Sequence, residues 1–225
     1  MTDKELFDAV IKNYEKQKDG RSAYIAGDCY HDGIGTPKDL KKAFEFYSRA
    51  ADSGIAEGLY KAGLMMLNGI GTEKNVHDGE FMLRRAATAN VAEAQFVYGE
   101  HLAGKKGLIF TPSQRHRKAL EYVLSAAMNG HSLAQIRTGV YLLQIGTDAG
   151  GHDLNSQDIR SALTFFAAAY GHGPENAHYE TAKYYLDNGI RSRMWTKKDI
   201  EKQLDYTRNN NPELLHEQIS QVYGV

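Results

Sequence analysis

Apolar residues recur along most of this chain at helical spacing. Tyr60, Gly63, Met66 and Leu67 follow i, i+3, i+6, i+7, and Phe44, Tyr47, Ala50 and Ala51 do the same. Each set forms a stripe on one helix face. The pattern then repeats. AYIAGDCYHDGIGT from Ala23 can be laid over LYKAGLMMLNGIGT from Leu59, AEAQFVYGEHLAG from Ala92, LAQIRTGVYLLQIG from Leu133 and ENAHYETAKYYLDNG from Glu175. One column holds Gly27, Gly63, Gly99, Gly139 and Ala182; a second, downstream, holds Ala43, Gly79, Ala119 and Ala162. The segments around the second column end on Gly54, Asn90, Gly130 and Gly173. Gly is the usual left-handed residue after a helix, and Asn its commonest substitute.

The spacing of the columns says how these helices are joined. From the second column to the next first column the distance is 20 residues at all four junctions. Inside the repeats it is 16, 16, 20 and 23 residues. Each repeat therefore reads as helix, turn, helix, with a fixed link between repeats and a variable turn within them. The boundaries are 21–56, 57–92, 93–131, 132–174 and 175–210, within one domain over 1–225. Residues 1–20 read as a capping helix outside the register, and 211–225 as a C-terminal helix with Pro212 near its start. A Gly inside a helix costs about 1 kcal/mol against Ala, so glycines in register predict close approach of two helices.

These residues carry a family resemblance. AEAQFVYGEHLAG, the GIGT turn and KAFEFYSRAADSG resemble the Sel-one-like repeat, a branch of the tetratricopeptide-like helical repeats, over about residues 21 to 190. The resemblance implies an all-α, right-handed superhelical α-solenoid of about five helix-turn-helix repeats with N- and C-terminal capping helices. It also implies a non-enzymatic scaffold or adaptor for a protein partner. Some relatives staple each repeat with paired cysteines, which this chain lacks. By the same resemblance the first helix of each repeat lines a concave groove. The groove positions are Ile25, Asp28, Lys61, Leu64, Val97, Glu100, Arg137, Val140, Thr181 and Lys183. This strip of mixed charge and apolar character suits an extended peptide or a partner helix.

Composition removes several alternatives. Formal net charge is −1, so no global positive field would hold nucleic acid or an anionic membrane, and nucleic acid is disfavoured as a partner. No apolar run reaches membrane-span length. MTDKELFDAV lacks the apolar region of a secretory signal, and the single cysteine permits no internal disulfide, so a cytoplasmic protein is expected.

Candidate chemistry is sparse. The stretch CYHDGIGTPKDLKKAF from Cys29 offers a thiol, a His-Asp pair and Gly-x-Gly. One repeat later Cys29, His31 and Asp32 become Met65, Leu67 and Asn68, while Gly33-Ile34-Gly35-Thr36 recurs as Gly69-Ile70-Gly71-Thr72. What persists is turn chemistry, glycine where φ is positive. Cys29 reads as a half-buried structural thiol. The nine histidines form no His-x-x-x-His pair, so no metal, no catalytic residue and no cofactor is expected. A basic edge remains at Lys105, Lys106, Arg115, Arg117 and Lys118, with Arg191 and Arg193 in the corresponding region of the fifth repeat. Asp148, Asp153 and Asp158 lie in the enlarged turn between them. Two functional readings follow. The first is a protein-binding adaptor, including a regulatory protein or an immunity protein that neutralises a toxin. The second is an enzyme or RNA-associated subunit using histidines and basic residues of the enlarged turns.

Overall fold

The computed structural model describes residues 2–104, 112–148, 156–192 and 194–209, with the backbone alone for 112–117, 144–148 and 156–158. Among the described residues every regular element is an α-helix. The helices form two compact units, 1–95 and 96–225. The first holds α1 (Asp3–Gln17), α2 (Gly20–Asp32), α3 (Leu40–Asp52), α4 (Ala56–Asn68) and α5 (Val76–Thr88), and ends in the first turn of α6 (Ala92–Gly104). The second holds the rest of α6 with α7 (Pro112–Met128), α8 (Ser132–Asp148), α9 (Ser156–Gly171), α10 (Tyr179–Arg191) and α11 (Lys197–Asn209).

The glycine column marks close helix approach, as its register predicts. A Cβ on Gly27 would stand 2.6 Å from the Tyr47 ring, and one on Gly63 2.9 Å from the Gly79 carbonyl oxygen. On Gly99 it would stand 2.6 Å from Val123 Cγ2, and on Gly139 2.7 Å from the Phe166 ring. First and second helices of each pair, α2 with α3, α4 with α5 and α8 with α9, thus pack closely. Gly33 and Gly35 take φ of +79° and +67°, and Gly69 and Gly71 +69° and +68°. The Gly-Ile-Gly-Thr segments are therefore left-handed turns. Asp39 and Asn75, which follow them, cap the next helix by accepting from the Lys42 and Asp78 amides at 3.0 and 3.1 Å.

The helix-stop residues extend further than the sequence register suggested. Left-handed backbone falls at Lys18, Gly54, Asn90, Gly130 and Gly173. The intervals of 36, 36, 40 and 43 residues equal those between the first-column positions from Gly27 to Ala182. So α1 is not outside the register. It takes the place of a second helix, with Lys18 where later repeats have Gly or Asn. Its packing agrees. A Cβ on Gly35 would overlap the Asp3 carbonyl as one on Gly71 would overlap that of Leu40, and Tyr14 stands edge-on to Phe46 of α3 at 5.3 Å.

The links between repeats share one hydrogen bond. The residue after the stop donates its N–H five positions back: Ile55 to Ala50, Val91 to Ala86 and His131 to Ala126, at 3.0 to 3.2 Å. At the last junction this position is Pro174, which has no N–H. There the chain runs through a longer turn, with Asn176 bonded to Gly173 and Tyr179 to Asn176. Consequently α10 begins three residues before its column position, whereas α2, α4, α6 and α8 begin seven before theirs. The fixed link expected at every junction holds at the first three.

The enlarged third and fourth repeats also differ from expectation. Their extra residues lie in longer helices, because seven residues separate the two helices of each of the first four pairs, 33–39, 69–75, 105–111 and 149–155. α7 and α8 have 17 residues and α9 has 16, against 13 in α2 to α6. Arg115, Arg117 and Lys118 therefore lie in helix α7 and not in a turn, Asp148 ends α8, and Asp158 lies in α9.

One core polar group is unsupported. Thr138 is fully buried and its hydroxyl has no hydrogen-bond partner among the described residues. Removing such a group at constant shape recovers its desolvation cost. Thr138→Val should leave stability unchanged or raise it by about 1 kcal/mol, read as the urea midpoint; a loss above about 1 kcal/mol would mean the hydroxyl is bonded in solution.

Candidate functional site

Eight of the ten groove positions, all but Thr181 and Lys183, are half-buried on first helices, and those two are exposed. Of the ten, all but Thr181 fall two residues before or one after the column residue of their repeat, so the first helices present faces of mixed chemistry at recurring register positions.

In the first unit the face lies on α2 and α4. Ile25 and Asp28 come from α2, Lys61 and Leu64 from α4. Asp28 is not a free surface carboxylate. The hydroxyl of the buried Tyr47 donates to it at 2.7 Å, and the ring of Tyr24 lies 5.8 Å from that of Tyr47. Lys61 makes no ion pair among the described residues. Arg21 stands 5.6 Å over the Tyr24 ring and 3.7 Å from Glu57, a solvent-exposed pair of little energetic weight.

In the second unit the face lies on α6, α8 and α10, and its charged groups converge. Arg137 Nε and Nη2 both reach Glu100 Oε2, at 2.8 and 2.7 Å. The Tyr141 hydroxyl donates to Glu100 Oε1 at 2.5 Å. Arg137 also stands 5.4 Å over the Tyr141 ring. Asp28 and Glu100 each follow the column glycine directly, and each accepts from a buried tyrosine. Tyr47 comes from the second helix of the same repeat, and Tyr141 from the first helix of the next. Two positions read from sequence as partner-facing thus also hold helices together.

These contacts move the phenols. Burial first, then the neighbouring Asp28 carboxylate, pushes Tyr24 up to about 12. Burial, with the bond to Asp28 or Glu100 second, pushes Tyr47 and Tyr141 up further. An unfolded tyrosine ionises near 10. The folded chain therefore keeps protons that the unfolded chain loses above about pH 10. This contribution is complete below that pH and disappears as pH rises through 10 to about 12 and beyond. An alkaline titration should show part of the tyrosinate absorbance developing only together with loss of helical dichroism. Titration of all tyrosines near pH 10 with helicity intact would contradict these bonds.

Sequence reasoning missed the junction glutamines. Gln95 and Gln135 are buried at the same register position, and each donates to the last turn of the preceding second helix, Ala87 and Ala127, at 3.3 Å. Gln95 also reaches Asn90, and Gln135 lies 3.0 Å from His172. Only their shared offset from the column glycine could have signalled this. Cys29 is 2% exposed, more buried than expected, and burial raises its thiol, which opposes reactivity. His31 and His77 pair with the adjacent Asp32 and Asp78 at the surface. Of the basic edge, Lys118 and Arg191 are exposed on α7 and α10. Lys105, Lys106, Asp153 and Arg193, the C-terminal helix over 211–225, and the side chains of Arg115 and Arg117 lie outside the described residues. No three His, Cys, Asp or Glu among the described residues converge to hold a metal ion. No described helix is long and apolar enough to cross a membrane.

The Sel1 repeat family matches residues 20–55, 56–91 and 92–131, boundaries that coincide with the first three helix pairs. The chain is a Sel1-repeat protein. Solved structures share its fold. A Sel1 repeat protein from Oxalobacter formigenes is similar with a TM-score of 0.66 and 23% identity, over 84% of this chain and 49% of that one. The uropathogenic Escherichia coli protein c5321, described as a protective antigen displaying an SLR fold, is similar with a TM-score of 0.66 and 19% identity, over 97% of this chain and 45% of its own. The chain thus spans about half the length of the solved structures it matches. None of the curated proteins matches the sequence. Its fold is an all-α solenoid of helical repeats, and Sel1-repeat proteins are generally protein-interaction scaffolds.

Proposed function

We infer that this Sel1-repeat protein is a non-enzymatic adaptor that binds a protein partner on its first-helix faces. The observation that carries this reading is the state of the charged groups there. Asp28, Glu100 and Arg137 are half-buried and held in place by internal bonds, with apolar Ile25, Leu64, Val97 and Val140 at the matching positions of the first helices. A rigid surface of this kind orders few side chains on binding, which favours affinity. The partner is an extended segment or a helix laid across the face, with Thr181 and Lys183 as its exposed contacts on α10. A cytoplasmic setting fits the lone buried thiol. Regulation of the partner, including neutralisation of a toxin, is the kind of role such binding serves.

Lys61 is the charged position best suited to test this, because it has no internal ion pair to lose. With the partner recovered by affinity capture, Lys61→Glu should weaken binding about tenfold, roughly 1.4 kcal/mol, at unchanged helicity. Unchanged affinity would remove α4 from the interface. Reversing Arg137 is a poorer test, since it would place two carboxylates together at Glu100.

A further inference from the structure

The residues that follow the five helix stops are Asp19, Ile55, Val91, His131 and Pro174. After each of the first four a first helix begins at once. A side chain there can accept one of the free N–H groups of the first turn. Ile, Val and Pro carry no such acceptor. Asp19 does, and the Ser22 amide donates to its Oδ1 at 2.8 Å. His131 repeats this arrangement with an imidazole. The Ala134 amide, three residues on, donates to its Nδ1 at 3.1 Å. Ala134 is fully buried, so losing this bond strands a buried donor. The bond requires an unprotonated Nδ1, which puts the proton of the neutral ring on Nε2. The ring stacks on Phe96 of α6, centroids 4.8 Å apart, and the His131 amide makes the link bond to Ala126 at 3.1 Å.

We propose that His131 is a proton-sensitive cap: mild acid releases the start of α8, and with it the link between the third and fourth helix pairs, while α2 stays capped. Protonation at Nδ1 removes the acceptor and sets a positive charge at a helix N-terminus, which the helix dipole opposes. The Phe96 ring face attracts an imidazolium, but that attraction offsets only part of a lost cap on a buried N–H. The other charged and titratable groups of the packed elements leave this balance in place. On α6, Glu93 is exposed and Glu100 is held by Arg137 and Tyr141. α7 carries no charged residue from Tyr122 to Met128, and α8 none before Arg137. At the end of α9, His172 Nε2 lies 3.0 Å from Gln135 Oε1, a bond the ring can donate in either protonation state. An unfolded histidine takes its second proton near about pH 6.5, and the folded chain resists that proton. The cap therefore contributes fully above about pH 6.5 and is lost as pH falls below it. Asp19 does not share this loss, because bonds from Ser22, its amide first, hold the Asp19 carboxyl below the ordinary carboxylate range.

Amide hydrogen exchange of the full chain, followed by NMR, provides the test, with each rate taken relative to the unstructured rate at the same pH. Between about pH 7.5 and about pH 5.5, protection of the Ala134 amide should fall about tenfold, and protection of the Ser22 amide should hold. His131→Asn supplies a cap that does not titrate and should keep Ala134 protected at both values. His131→Ala should leave it weakly protected at both. Constant protection of Ala134 in the parent, the same fall in His131→Asn as in the parent, or an equal fall at Ser22 would overturn the cap. The readout is internal to α8, so its outcome does not depend on whether the first-helix faces bind a partner.

Discussion

Gly63→Val should lower the stability of the chain by about 3 kcal/mol or more. At Gly63 the obstacle is backbone. An added Cβ would lie 2.9 Å from the Gly79 carbonyl oxygen, 3.0 Å from Met82 Cβ and 3.1 Å from the Leu83 nitrogen. The contact is reciprocal, because a Cβ on Gly79 would lie 2.8 Å from the Gly63 oxygen. Neither helix can yield by turning a side chain aside. Overpacking of this kind costs about 1–3 kcal/mol for the first extra carbon. Helix propensity returns roughly 1 kcal/mol of that for alanine, and less for a β-branched residue. Gly63→Ala should therefore lose about 1 kcal/mol net, and valine, with two further methyl groups, substantially more. The corresponding fall in Tm is about 10 °C for a chain of this size. Gly171→Ala is the control. Its Cβ would find only Leu204 Cδ2, at 3.8 Å, so it should be neutral or slightly stabilising. A Gly63→Val protein as stable as the parent would mean that α4 and α5 do not approach as described.

Glu100→Ala should cost about 2–3 kcal/mol, the second-largest effect. It leaves the hydroxyl of Tyr141, itself only 2% exposed, without its acceptor. It also leaves Arg137 unpaired at a half-exposed site, where solvent screens much of the penalty. Glu100→Gln keeps the shape and an acceptor for Tyr141, and should cost about 1 kcal/mol. The double-mutant cycle of Glu100→Ala with Tyr141→Phe should give a coupling of about 1 kcal/mol. The single tryptophan, Trp195, belongs to the same unit, so its fluorescence during urea unfolding reports the change directly. Additive effects at Glu100 and Tyr141 would contradict the bond between them.

The helix pairs could be read from the sequence because they are encoded locally. The glycine columns, the turn glycines and the helix stops all appear as residue types at fixed intervals. Two parts of the fold escaped for physical reasons. The place of α1 was hidden because its left-handed stop is Lys18, a residue type that gives no signal for positive φ. The altered last junction depended on a single missing N–H at Pro174, visible only once the bond shared by Ile55, Val91 and His131 is known. The candidate face was legible in part. Register placed Asp28, Glu100 and Arg137 on first helices, but not the tyrosines that bind them. Tyr47 lies 19 residues from Asp28, and Tyr141 lies 41 from Glu100. Pairings across helices at such separations have no local pattern. For the same reason nothing local marked Gln95 and Gln135 as buried.

Hydrogen exchange of the chain with and without its captured partner tests the binding account most directly. Protection should concentrate in first-helix segments that include 25–28, 61–64, 97–100 and 137–140. The second-helix segments 41–49 and 77–85 should exchange alike in both states. Protection confined to those second-helix segments, with the first-helix segments unchanged, would contradict the account.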